Sequence, residues 1–230
     1  MPRSHIKTEE LTQNKYLKFI ANAISIICHP VFMPIVMAFV LYKISGISFS
    51  NINPAKMKEW LGIIAVNTIF FPLVTVFLLK KLNFINDFYL RNQKDRIIPL
   101  IATMIFYFWA YTVFKNIKTP TVPPLILQIF MLGNFYGIIA LFMVNIFKKV
   151  SMHTAAAGGM LGILMVVMIM SKVNLLITLL VALLIAGFIG TSRLILRAHT
   201  RGEIGLGYFL GIASQLIAFL YMTKIAMIFN

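Results

Sequence analysis

Apolar runs about as long as a bilayer is thick alternate with short polar turns along most of this chain. Seven can be marked, near 19–43, 60–79, 97–114, 123–147, 154–171, 173–192 and 204–229. Each approaches the ~20 residues a helix needs to cross the hydrocarbon core, where a backbone must satisfy its own hydrogen bonds. The pattern predicts an all-α fold: a polytopic integral membrane helical bundle of about six to seven transmembrane helices. Residues 1–18 read as a polar N-terminal segment and 19–230 as a single transmembrane helical domain. The long polar stretch from Met1 to Lys18 does not look like a cleaved signal peptide, so the first span is expected to be retained.

Punctuation inside the runs adds detail. Pro30 and Pro34 should kink the first span and Pro72 the second. Pro120, Pro123 and Pro124 mark the turn before the fourth. Trp60 falls at a span edge, where interfacial aromatics collect. Ala155-Ala156-Ala157-Gly158-Gly159 is a patch of small residues that would let another helix come close. Asn67, Asn134 and Asn145 are expected to hydrogen-bond between helices.

Composition supports the membrane reading. The chain has 230 residues, 60% hydrophobic and only 12% charged, about half the charged fraction of a soluble domain. Cys28 is the sole cysteine, so neither an intramolecular disulfide nor a thiol metal site is expected. No His/Cys/carboxylate set has metal-ligand spacing, and no cofactor is implied. The net charge of +15 points to anionic partners. Without a basic, aromatic-interleaved soluble segment nucleic acid is a poor candidate. The bilayer itself and a phosphate-bearing lipid are the better ones.

Span parity carries the next step. If all seven runs cross, the polar loops 80–96, 148–153 and 193–203 share one face, with two spans between each and the next. Arg91, Lys94, Arg96, Ser151, His153, Arg193, His199 and Glu203 can then converge at one membrane surface. Lys and Arg favour that face roughly two to one, but near parity returns once six of them are reserved for substrate, so the side stays open. Neither the oligomeric state nor the lipid is legible.

Within these loops, Ser192, His199 and Glu203 are spaced to share one face if 192–203 is helical. Glu203 could fix the tautomer of His199 and leave its other nitrogen as a general base or nucleophile. A His–Glu pair that simply caps a juxtamembrane helix fits the spacing equally well. The fork of Arg193 suits phosphate oxygens. Ser151 could cap the helix that His153 opens, and such helix starts attract phosphate. His153 there could protonate a leaving oxygen. Arg91, Lys94 and Arg96 precede a helix start, the wrong sign for its dipole, and Asp95 is a candidate cap. His29, before Pro30, reads as a packed histidine.

Ser192-Arg193, five residues, His199, three residues and Glu203 resembles the third motif of the type 2 phosphatidic acid phosphatase and vanadium haloperoxidase superfamily, Ser-Arg-x5-His-x3-Asp, with Glu for Asp. Val150-Ser151-Met152-His153 is similar to its second motif, Pro-Ser-Gly-His, without the Pro and Gly. The first motif, Lys-x6-Arg-Pro, is degenerate: Arg96 is present, Ile97 follows it, Pro99 comes two places late, and Tyr89 stands at the lysine, whose charge Arg91 or Lys94 could supply. The resemblance spans Arg91 to Glu203 and implies a membrane-embedded lipid phosphatase acting on a lipid phosphate or diphosphate. His199 would form a phosphohistidine, oriented by Glu203. Arg193 and Arg96 would hold the phosphate oxygens, with a hydrogen bond from Ser151, and His153 would protonate the leaving group. It implies no metal. A bacterial inner membrane is the implied setting. A degenerate member that binds or transports an anionic lipid is the alternative.

Overall fold

In the computed structural model, residues 14–44, 49–50, 52–118, 121–171 and 174–228 are described, the last four without side chains. Most of the polar N-terminal stretch, Pro120 and the turn at Lys172 lie outside them. All regular structure among the described residues is helical. Helices α1 (Lys15–Ile27), α2 (Met33–Ile44), α3 (Pro54–Lys81), α4 (Ile97–Asn116), α5 (Leu125–Phe147), α6 (Met152–Ser171), α7 (Leu176–Ile195) and α8 (Arg201–Ile228) follow in order. Six of them, α3 to α8, are long and apolar enough to cross a membrane. The chain is a multi-pass helical membrane protein.

The first expected span is corrected. Residues 19–43 do not form one kinked helix but two, of 13 and 12 residues, each short of the ~20 needed to cross. The break is a turn in which the Phe32 N–H donates to the His29 carbonyl at 3.0 Å, with Pro30 at the position where its fixed φ suits a β-turn. Pro34 falls in the first turn of α2, where a missing N–H costs nothing. At Pro72 the result is a π-helical turn, Val66–Phe70. One extra residue in the turn lets the ladder pass a proline that cannot donate.

Helix α6 forms the centre, with 67% of its apolar window buried, and its small residues explain why. A Cβ at Gly158 would run into the Tyr208 backbone, one at Gly211 into Ala155 and Gly159, and one at Gly207 into Thr154 and Ser151. α6 and α8 therefore pack backbone to backbone, as small-residue faces permit in lipid. The Gly207-x3-Gly211 half of this contact escapes a reading of the Ala/Gly patch alone. α8 also packs on α5, α5 on α4, and α7 on both α1 and α6. Trp60 does not face lipid: it is fully buried in the main core cluster with Phe114 and Leu127. Asn134 and Asn145 do tie elements together, to Gln215 and Gln93. Asn67 instead donates to Ile63 of its own helix.

Candidate functional site

Three turns meet at one end of the bundle. Arg96 Nη1 donates to the Val150 carbonyl at 2.9 Å, Lys149 Nζ to that of Ala198 at 3.1 Å, and the Ser151 N–H to that of Glu203 at 3.3 Å. Each bond crosses between two of the loops 80–96, 148–153 and 193–203. The convergence expected from span parity holds, and the α6–α8 glycine contact brings the starts of those two helices side by side.

Local structure sets each side chain. α7 ends in a Schellman turn: the Ala198 N–H donates to Arg193 and the Arg197 N–H to Leu194, with Arg197 left-handed at φ 50. A left-handed non-glycine costs about 1–3 kcal/mol and collects at functional sites. Because α7 stops at Ile195 and α8 starts at Arg201, Ser192, His199 and Glu203 do not share one helix face. Ser192 bonds Ile189 of its own helix and lies 3.3 Å from Ser25 of α1. His199 sits in the turn, and Thr200 and Glu203 form a capping box, each side chain accepting from the other's N–H at 3.3 Å. Oε2 of Glu203 also lies 2.7 Å from His199 Nδ1. The carboxylate does both jobs that the spacing had left as alternatives. Since a carboxylate only accepts, Nδ1 carries the proton and Nε2 holds the free lone pair.

A cavity of about 1410 Å³ opens on this cluster, lined by Arg96, Lys149, His153, Arg193, Arg197 and His199 among others. His153 Nε2 lies 3.1 Å from the Ser25 carbonyl, and its ring meets that of His29 edge-on, centroids 5.4 Å apart. A carbonyl can only accept, so His153 offers Nδ1 to any other partner. Burial holds His199 below the usual imidazole value of 6.5, against the pull of its hydrogen bond to Glu203 and helped by the charges of Arg96 and Lys149. His199 is therefore neutral at pH 7 and its Nε2 available.

The two buried arginines differ. Arg96, 4% exposed, uses Nε on the Leu90 carbonyl at 2.7 Å besides Nη1 on Val150. Arg193, 8% exposed, has no partner on Nε or Nη2. Neither forms a salt bridge among the described residues. A buried, unpaired cation costs several kcal/mol, which an anion in the cavity would offset.

Four expectations are corrected. Lys94 is exposed and does not line the cavity. Arg91 lines it only at the rim, with its side chain 79% exposed, 3.4 Å from Asp87 and over the Tyr89 ring. Ser151 is fully buried and caps α6, its Oγ accepting from the Thr154 N–H at 3.4 Å, and it does not line the cavity. Asp95 is no helix cap: it accepts from the Asn86 backbone and side chain at 3.1 Å, closing the 80–96 loop. Two residues were missed. Lys149 is absent from the candidates the sequence offers, although it lies two residues before Ser151. His29 read as core, although the His29-Pro30 pair signals a turn.

Among the described residues no three His, Cys, Asp or Glu side chains cluster as metal ligands would. No family model matches the chain, and neither a curated protein nor a solved structure matches it.

Proposed function

We propose that the protein is a multi-pass membrane phosphatase, of bacterial inner-membrane type, that hydrolyses a lipid phosphate or diphosphate through a phosphohistidine. One observation carries the reading: the buried Arg193 guanidinium, its Nε and Nη2 without partners, lines the same cavity as a histidine whose Nδ1 is fixed by Glu203. An anion between Arg193, Arg96 and Lys149 would present phosphorus to His199 Nε2. The likeness to the type 2 phosphatidic acid phosphatase motifs, strongest at Ser192 to Glu203, supports the same chemistry.

In the first step His199 Nε2 forms a bond to phosphorus as the phosphorus–alkoxide bond breaks. Glu203 stabilises the imidazolium that results. The departing oxygen takes the proton that a phosphate monoanion brings with it, passed on by Nδ1 of His153. In the second step Nδ1, again a base, removes a proton from water, which attacks phosphorus and breaks the phosphorus–nitrogen bond. Phosphate leaves with that proton, and His199 is neutral again. Arg193 and Lys149 stabilise the charge on the equatorial oxygens throughout, while Arg96, its Nε and Nη1 on backbone carbonyls, holds the wall of the cavity in place.

His199→Ala is expected to abolish phosphate release from phosphatidic acid, polyprenyl diphosphate and phosphatidylglycerophosphate in detergent, and to remove any phosphoenzyme trapped from labelled substrate. Undiminished release would exclude His199 as nucleophile. The inward-facing cap role of Ser151 and the outward position of Lys94 thin the phosphate cradle, which favours a second reading: a degenerate member of the same fold that binds or transports an anionic lipid. In that case binding survives His199→Ala and is lost in Arg193→Ala.

A further inference from the structure

The cavity continues past the imidazoles between α5, α6 and α8 to Asn134, Ser214 and Gln215. Gln215 is 1% exposed. Its Nε2 donates to Asn134 Oδ1 at 3.1 Å, while its own Oε1 and the Nδ2 of Asn134 have no partner. Turning both amides over would leave the same remainder, one free carbonyl and one free amino group. The Ser214 hydroxyl cannot donate to either, since it donates to Gly211 at 2.9 Å.

The recess is built around these groups. A Cβ at Gly133 would collide with the Gln215 amide, and one at Gly162 would lie 3.0 Å from Gln215 Cβ. Two glycines thus admit a long polar side chain that the surrounding lipid would not favour. A pair serving only to hold α5 to α8 would be complete in itself. This one keeps a donor and an acceptor buried, at a cost that a complementary ligand group would recover.

We propose that Asn134 and Gln215 form a second recognition point, which binds an amide in the apolar part of a lipid phosphate. The amide N–H donates to Gln215 Oε1, and its carbonyl accepts from Asn134 Nδ2. An ester would satisfy only one of the two, and a plain hydrocarbon or isoprenoid chain neither. Gly159 and Gly162, which flank Gln215, lie six and nine residues along α6 from His153, about 9–14 Å at the helical rise. The preferred ligand therefore carries its phosphate at Arg193 and its amide at that depth. This rests on the cavity being a lipid-phosphate site.

The test uses three single-chain alkyl phosphates of equal length: one with an amide at the depth of Gly159 and Gly162, one with an ester there, one with methylenes only. Their affinities for the full-length protein in micelles are compared by ligand-induced thermal shift. The amide lipid should bind about tenfold more tightly than the methylene lipid, with the ester between them. Gln215→Met and Asn134→Leu should each cut that preference to about twofold or less. Equal binding of the amide and methylene lipids to the wild type, or a preference that survives both substitutions, overturns the proposal. Phosphate release is followed on the same samples. Its absence for every lipid would count against the phosphatase reading, while the binding preference would still be read.

Discussion

Arg96 and Arg193 are the same residue type, at similar burial, in opposite circumstances. The first stands in the region where loop 80–96 meets the start of α6, and it holds two backbone carbonyls there. The second ends α7 beside the cavity, with two of its nitrogens idle. A buried cation that spends its donors on the chain is part of the frame. One that leaves Nε and Nη2 unspent is poised for something the chain does not contain. Burial alone does not separate them; the partner count does.

Substituting each arginine is the sharpest way to break that contrast. Arg193→Gln should lower phosphate release by about 10²–10³, the range for losing one electrostatic stabiliser. Its melting temperature should hold or rise, because an uncompensated buried charge is gone. A lowered melting temperature with activity kept would invert the assignment. Arg96→Gln should cost about 2–3 kcal/mol of stability, from two charge-assisted bonds to carbonyls, and this would appear in denaturation in detergent before any change in substrate affinity. Thr200→Ala should cost about 1 kcal/mol as the loss of a cap, with activity falling only as far as Glu203 loosens its hold on His199. Glu203→Gln supplies the complement, keeping the capping box and losing the charge.

The smallest effect is that of pH. The folded His199 lies below 6.5, so just under that pH the unfolded chain binds a proton that the native state does not. Stability should fall as pH drops through 6.5 and level off below the folded value. His199→Asn should flatten this part of the curve. A wild type that grows more stable on acidification through that window would contradict the sign.

Much of this arrangement is written locally. The capping box and the His199–Glu203 pair are i, i+3 and i, i+4 relations, and the meeting of three turns follows from counting spans. Packing decided what remained. Whether Ser151 points its hydroxyl at a ligand or at Thr154 depends on the α6–α8 contact, where a Cβ at Gly207 would already meet the Ser151 carbonyl and the Thr154 hydroxyl. Lys94 turns outward because Asp95, beside it, is drawn inward by Asn86. Lys149 and His29 gained their places from parts distant in sequence, the turn after α7 and helix α6, and spacing carries no such information. In the first apolar run hydropathy gave the right solvent but not the right path, since apolar residues suit two short helices, much of whose apolar surface stays exposed, as well as one long one.

The π-helical turn at Val66–Phe70 bears on how this protein can tolerate change. An α-helix advances each residue by about 100°, so the surplus residue there sets the angular offset between the two halves of α3. Trp60 and Ile64, buried on one side of it, and Pro72, at the cavity on the other, keep their bearings only while that surplus remains. A one-residue deletion within 66–70 would yield regular hydrogen bonding up to the proline and yet swing the cavity-facing half away from its neighbours. In this helix the irregularity holds the geometry, and repairing it would be the lesion.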